Sequence, residues 1–463
     1  MTALWTSSLL KELVNAKSTE KWEASGVEID SRKVKKGDLF CAINGKNHNG
    51  HDYIYSASEN GATACLISEN LQETKNITLA KVSNVLNALE KMANNSRMRS
   101  KAKFIAVTGS VGKTGTKDMM QLAFSKVANT YANESSYNNF LGVPLSLARI
   151  PPNTNFCILE IGMNKKGEIR NLTKMVKPEV AVLTAVEKSH LEGLESLKNI
   201  ADAKSEILES LNKNGCLIIN NDTNFSQHIK NKAKNIGIKN IITYGKRREN
   251  NIRLLNYSLK NKKYLVQVSC YGKKISWHMP YLAEHWIYNS LSILGLATYF
   301  KIDLKKILSA LSSFKVPQGR GNKINLRYKD RNFLLIDDSY NSNPASLIAS
   351  LKSFSKLKVT GHKLLVLGDM LELGEESLEI HKGFGSKIEK FGFNILYTVG
   401  KNMFEMTKVL KNIKCKYHGD NLDLITEDIF KSLNNGDAIL FKGSNSINLK
   451  EIINNILSGC ERL

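Results

Sequence analysis

The chain of 463 residues is 42% hydrophobic and 24% charged, which are globular values, and its length predicts about three domains, each with its own core. A formal charge of +23 raises the question of nucleic acid, but the lysines are spread among asparagines with no basic helix or arginine-rich arm, so no nucleic-acid partner is expected and the field is left to steer anionic substrates. No apolar run approaches the ~18 residues of a membrane span, the start lacks the pattern of a secretory signal, and seven cysteines stand singly without a CxxC pair; the expectation is a cytoplasmic protein with reduced thiols.

Residues 1–96 read as a first, small α/β unit. Short strands (DLFCAI, TACLI) flank a helix candidate, YIYSASENG, which Gly61 ends, and a polar helical segment (NVLNALEKMANNSRMRSKAK) follows. The second unit, 97–317, opens on FIAVTGSVGKTGTK (104–117): an apolar strand, a glycine-rich turn, then Lys113 and Thr114 at a helix start. In that order backbone N–H groups can face an anion, Lys113 can reach outer phosphates and Thr114 can hold Mg²⁺; the alternative is a plain glycine turn. The usual P-loop glycine five residues before Gly112 is absent. Val107 stands there, and the glycine comes at Gly109 instead.

Helix and strand then alternate through FCILEIG (156–162), EVAVLTAV (179–186), a helix over 197–211 and CLIIN (216–220), so a parallel sheet covered on both faces is expected. The stretch from His228 to Asn251 reads as a solvated surface with polar loops. Residues 250–280 alternate like an antiparallel hairpin, the helix HWIYNSLSILGLATYF follows, and Val316–Gly321 is the clearest linker. The third unit, 318–463, places FLLIDD, KLLVLGD, ILYTVG and AILFKG at the spacing of a Rossmann-like sheet.

Several polar residues sit where chemistry collects. Glu160, at a strand end, can hold Mg²⁺ opposite Thr114 or serve as a cap or solvent residue. His190 and Lys204, taken alone, read as a structural histidine and a surface lysine. The run Asp337-Asp338-Ser339-Tyr340-Asn341-Ser342-Asn343-Pro344 is either an elaborate Asx turn before a helix or a binding loop. LGDMLELG and Lys442-Gly443-Ser444 also end strands; if those are parallel, they share its rim.

Together these pieces resemble the Mur ligase family across essentially the whole chain. The carriers are TGSVGKTGTK; NNFLGVPL from Asn138 and Asn139; the run from Glu160 to Gly167-Glu168-Ile169; His190 in SHLEG; Lys204 in AKSEIL; His285 and Asn289 in AEHWIYNSL; DDSYNSNP; LGDMLELG; and DSR…KGDLFCAING near the start. Two departures stand out. Asn445 follows Lys-Gly-Ser where the family commonly shows arginine, and YLAEHW replaces the usual G-x-H-N.

The resemblance implies a monomeric ATP- and Mg²⁺-dependent ligase that adds D-alanyl-D-alanine to UDP-N-acetylmuramoyl-tripeptide through an acyl phosphate. It implies nucleotide contacts at Gly109, Ser110, Val111, Gly112, Lys113, Thr114, Gly115, His285, Asn289, Arg320, Asp338 and Asn341, and catalysis by Lys113, Glu160, His190 and Lys204. It places metal ligation on Thr114, Glu160, His190 and a CO₂-derived carbamate on Lys204, and substrate contacts at Ser31, Arg32, Gly45, Asn138, Asn139, Tyr340 and Lys442. Another ligase of the superfamily, of the diaminopimelate-adding, lysine-adding or folylpolyglutamate type, is the nearest alternative, although the D-N-P-R run of the diaminopimelate enzyme is absent. A nucleotide-binding module without ligase chemistry is a further one.

Overall fold

The structure, a computed structural model, describes residues 3–45, 47–71, 77–134, 137–187, 191–194, 196–260, 263–280 and 284–463. It is α/β throughout, as expected, and carries three principal sheets. The first has the strand order Lys17–Ser18, Leu79–Lys81, Ala64–Ile67, Asp38–Cys41, Gly26–Glu28, parallel except at the first pair. The predicted helix appears as Ile54–Glu59. Gly61 (φ 100°) turns the chain where a side chain would strike the Lys36 backbone. Asn84 caps the helix Val85–Arg99, which packs on the helix Gly142–Ala148 and joins the first sheet to the second.

Nine strands form the second sheet. Seven run parallel in the order Thr130–Ala132, Phe156–Glu160, Lys103–Thr108, Val180–Leu183, Cys216–Asn220, Asn240–Gly245, Ile252–Lys260; Lys263–Cys270 and Lys273–Pro280 add an antiparallel edge. Phe104 and Ala106 face one core, Ile105 and Val107 the other, which is why FIAV is apolar without interruption. Val107 lies inside this strand, in register with Glu160 and Val182, so the phosphate turn begins only after Thr108.

The segment from His228 to Asn251 corrects the sequence reading. It contains most of the helix Ser226–Asn235 and the whole parallel strand Asn240–Gly245, whose Ile242, Thr243 and Tyr244 are buried. The run IITY was the signal, masked by lysines and asparagines on the exposed side of the helix. The helix expected over 197–211 also ends early, at Ser205, and a 3₁₀ turn, Glu206–Leu208, continues it.

The third sheet has four predicted strands, Ile395–Val399, Lys363–Gly368, Asp437–Lys442 and Arg331–Asp337, side by side and parallel. Asn322–Tyr328, Lys414–His418 and Glu461–Arg462 extend its edges without having been predicted. Because the four are parallel, Asp338, Asp369 and Ser444 share one rim. No helix among the described residues is long and apolar enough to cross a membrane.

Candidate functional site

The strand Lys103–Thr108 lies between Phe156–Glu160 and Val180–Leu183, whereas the next strand in the chain sits outside Phe156–Glu160. The connections therefore diverge beyond its carboxyl end, which opens a crevice there. Gly109 and Gly112 take positive φ (151° and 83°), and Gly112 leads into the helix Lys113–Ser125. A side chain at Gly109 would collide with the Thr184 hydroxyl, which itself donates to the Val111 carbonyl (2.6 Å). The first helical N–H groups lack acceptors within the helix and face the crevice as an anion site.

Ser110 lines the cleft, yet its N–H donates to Ala185 O (2.8 Å) and its hydroxyl to Glu187 O (2.8 Å), so it braces the turn. Lys113 folds back with Nζ on Gly109 O (2.8 Å). Burial lowers its pKa; Glu160 and Glu372 oppose that effect, and Arg320 adds to it.

Thr114 and Glu160 are both buried. Asn133 holds the Glu160 backbone from both sides, accepting its N–H (2.8 Å) and donating to its carbonyl (3.1 Å), while Asn138 Nδ2 donates to the carboxylate (2.7 Å). Buried Lys117 donates to Asn133 O (2.6 Å) and pairs with Asp118 (2.8 Å). Asn139 instead caps the next helix, accepting from Leu141 N and Gly142 N (3.1 and 2.9 Å).

Lys204 is not the surface lysine that its helical pattern suggests. It is 2% exposed, and burial together with the repulsion of Lys113 lowers its pKa well below the usual value. The neighbouring buried carboxylate of Glu206 caps the helix Glu168–Val176 through Gly167 N (2.9 Å) and Arg170 N (3.2 Å). His190 lies outside the described residues.

Asn289 presses its amide against Gly112 and Gly115, and its buried Nδ2 has no hydrogen-bond partner among the described residues. Beside it, Trp286 packs on Gly115; neither Trp286 nor Asn133 carries a sequence signal that singles it out. His285 borders a narrow gap of about 40 Å³ shared with Asp338, Ser350 and Phe354 of the third sheet unit. His285 keeps an exposed surface, but the protein bordering the gap, with Lys442 and Arg320 repelling and Asp338 attracting, lowers its pKa from the ordinary value.

From the third sheet, Asp338 pairs with buried Lys442 (2.9 Å), whose Nζ also donates to Asn341 O (3.1 Å). Ser350 donates to the same Asp338 oxygen, Oδ2. Arg320 lies 3.9 Å over the Tyr340 ring. Pro344 starts a helix with Asn343 and Ser346 as a reciprocal capping box, so the DDSYNSNP run is a capped turn and at the same time lines a cleft. That cleft, about 230 Å³, is bounded by Ser110 and Lys113 on one side and by Tyr340–Asn343, Leu371–Leu373 and Ser444–Ser446 on the other.

The amino-terminal candidates lie on the first sheet. Ser31 is buried and begins a short turn capped by Asp30; exposed Arg32 pairs with Asp30 (2.8 Å). Gly45 N donates to His48 O (2.9 Å) in a tight turn. Lys33 reaches the Tyr137 hydroxyl (3.0 Å), next to Asn138, linking this unit to the Glu160 network.

Three family models match in succession: the Mur ligase family, catalytic domain, over 23–109; the Mur ligase middle domain over 107–297; and the Mur ligase, glutamate ligase domain, over 323–445. The chain is 32% identical over 450 residues to the UDP-N-acetylmuramoyl-tripeptide–D-alanyl-D-alanine ligase of Rickettsia prowazekii, covering 97% of this chain and 99% of that one. It is 31% identical to the enzyme of that name from Bacillus subtilis, covering 93% of each. Its fold matches that of MurF from Acinetobacter baumannii with a TM-score of 0.84 at 24% identity, over 98% of this chain and 99% of that one. MurF ligase from Thermotoga maritima in complex with ADP matches with a TM-score of 0.77 at 24% identity, over 94% and 97%. On its sequence relatives and the three successive matches, the chain belongs to the Mur ligase family.

Proposed function

We infer that this chain is the ATP-dependent ligase that joins D-alanyl-D-alanine to UDP-N-acetylmuramoyl-tripeptide, giving the UDP-linked pentapeptide of peptidoglycan synthesis. The observation that carries the reading is the cleft in which Lys113 and the phosphate turn meet the Tyr340–Asn343, Leu371–Leu373 and Ser444–Ser446 loops of the third sheet. A nucleotide on the turn and an acceptor peptide reach each other there.

A peptide carboxylate is a poor electrophile. Its oxygen attacks the γ-phosphorus of ATP, ADP leaves, and an acyl phosphate forms. The free amine of D-alanyl-D-alanine then attacks the acyl carbon, and phosphate departs with the C–O bond. Charge spreads over the transferred phosphoryl oxygens, so positioning and cations supply most of the rate. Lys113 and the turn N–H groups of Gly109 and Val111–Gly115, braced by Ser110, take the β- and γ-phosphates, and His285, Asn289, Arg320, Asp338 and Asn341 take the rest of the nucleotide. Ser31, Arg32, Gly45 and Asn138 would serve the UDP-peptide, and Tyr340 and Lys442 the cleft side. Asn139 would act there through the helix it caps.

Among the described residues no preformed cage of three or more His, Cys, Asp or Glu side chains exists. Mg²⁺ binds through one or two carboxylates together with substrate phosphates. Thr114 and Glu160 offer hard oxygen donors and would hold one ion; His190 and a carbamate on Lys204 would hold a second, and the ions would neutralise phosphate charge. We further propose domain limits of 1–96, 97–317 and 318–463, a monomer, and a cytoplasmic location.

The test is phosphate release from ATP with UDP-N-acetylmuramoyl-tripeptide and single amine candidates. D-Alanyl-D-alanine should support turnover and diaminopimelate, lysine and glutamate should not; release with none of them overturns the reading. Lys204→Ala should abolish turnover, with partial rescue by acetate or chloride, and full activity in that variant refutes the carbamate.

A further inference from the structure

The segment Asp369–Leu373 follows the strand Lys363–Gly368, and its Leu371–Leu373 part forms one wall of the cleft opposite Lys113. Its seat is made residue by residue. Asp369 takes Asn402 N (3.1 Å) and Met403 N (2.7 Å) on its carboxylate and Ser444 N (3.0 Å) on its carbonyl. Leu371 N donates to Ser444 Oγ (2.9 Å). Between them Met370 N donates to Nε2 of His381 (3.0 Å), a histidine with no exposed surface on the helix Ser377–Lys390. Two residues further on, Glu372 is held at φ 63°, a conformation that a non-glycine residue keeps only when its surroundings enforce it.

The partners of His381 fix its chemical form. A backbone N–H can only donate, so Nε2 carries a lone pair. Ser377 O, 2.6 Å from Nδ1, can only accept, so Nδ1 carries the proton. A second proton on Nε2 would set N–H against N–H. Asp369 is the charged group that bears on the ring; burial outweighs it and keeps the imidazole below its ordinary range.

We propose that His381 is a positioning residue of the ligase reaction: as the neutral Nδ1–H tautomer it seats Met370, and through it the Leu371–Leu373 wall, against the phosphate turn. This rests on the reading of the cleft as the ligase site, but the seating can be measured without substrate. The native state binds fewer protons at His381 than an opened one, so the seat is stable above pH ~6.5 and loses stability as pH falls below it. Opening should rise between pH 7.5 and 5.5, with about tenfold, the factor by which protonation favours a free imidazole, as its ceiling.

Hydrogen exchange of residues 369–373, corrected for its intrinsic rate, should show that rise in the wild-type full chain. In His381→Gln, whose Oε1 can accept from Met370 N and does not titrate, the rise should vanish and kcat/KM should stay within about threefold. His381→Phe should lose about tenfold in kcat/KM. A pH-independent segment in the wild type, or an equal rise in His381→Gln, overturns the proposal whether or not the Phe variant folds. So does a Gln variant as impaired as the Phe variant. Normal exchange behaviour with no turnover on D-alanyl-D-alanine would instead count against the substrate reading.

Discussion

Arg149 joins the first sheet to the second, and its removal should separate the binding of the two substrates. It follows the helix Gly142–Ala148; its Nη2 meets Glu28 Oε2 at 2.5 Å and its Nε donates to Val27 O at 2.5 Å. Both partners lie on the strand Gly26–Glu28, three residues before Ser31. Glu28 is buried and, among the described residues, keeps Ile29 N (2.8 Å) and Asp30 N (3.2 Å) as its hydrogen-bond donors once the guanidinium is gone. Breaking a buried pair by removing one partner costs about 3–5 kcal/mol, and the two surviving N–H bonds favour the lower end. At about 3 kcal/mol the docked arrangement weakens roughly a hundredfold, since 1.4 kcal/mol is about tenfold.

Trp5 Nε1 still holds Ala148 O (2.9 Å), so the contact loosens without being lost. Arg149→Met should therefore raise KM for UDP-N-acetylmuramoyl-tripeptide by ten- to a hundredfold (about 1.4–3 kcal/mol) and leave KM for ATP within about twofold. Arg149→Lys, able to make one bond but not both, should fall between. Steady-state kinetics with each substrate varied, together with a thermal melt, would measure this. An unchanged KM for the UDP-peptide with an unchanged melt in Arg149→Met would refute the reasoning.

Gly115→Ala would place its new carbon 2.5 Å from Trp286 Cζ3, and that indole is buried against Phe314. A loss of about 1–3 kcal/mol in stability and a weaker nucleotide titration should follow, read by melting and by ADP binding. Glu160→Gln preserves shape and the Asn138 contact but removes the charge, so phosphate release should fall at least about a hundredfold with the melt unchanged; near-normal turnover would remove Glu160 from the metal site. Asp338→Asn leaves the Lys442 ammonium buried with only a neutral partner and Asn341 O; about 3 kcal/mol of third-sheet stability should be lost, measured by denaturant unfolding.

How much of this could be read from the sequence depended on whether a residue acts locally. Residues 104–117 were legible because strand, turn and helix start are one continuous message, and the DDSYNSNP rim was legible because a parallel sheet gathers the ends of its strands. The strand Asn240–Gly245 was hidden by its flanks, since Ile241, Ile242, Thr243 and Tyr244 stand between polar stretches. Asn133 and Trp286 gave no local sign. The first acts only because Phe156–Glu160 is registered beside Thr130–Ala132, and the second because its ring meets a glycine 171 positions away in the chain. Glu206 gives no local sign either, although its carboxylate closes the end of another helix.

Lys204 was misjudged for a related reason, and comparison with other buried lysines gives its exposure meaning. Lys117 has Asp118 and Asn133 O; Lys442 has Asp338 and Asn341 O. Each of those two ammoniums meets a carboxylate and a backbone carbonyl. Lys204 is as deeply buried, and among the described residues the charge that acts on it is another cation, Lys113. An unpaired buried ammonium costs several kcal/mol, so such a site favours the neutral amine. A neutral amine has the lone pair that attack on CO₂ requires, which an ammonium lacks. The carbamate so formed would be an anion in the same dry place, tolerable only beside a cation, so carbamylation and metal binding at this site should rise and fall together.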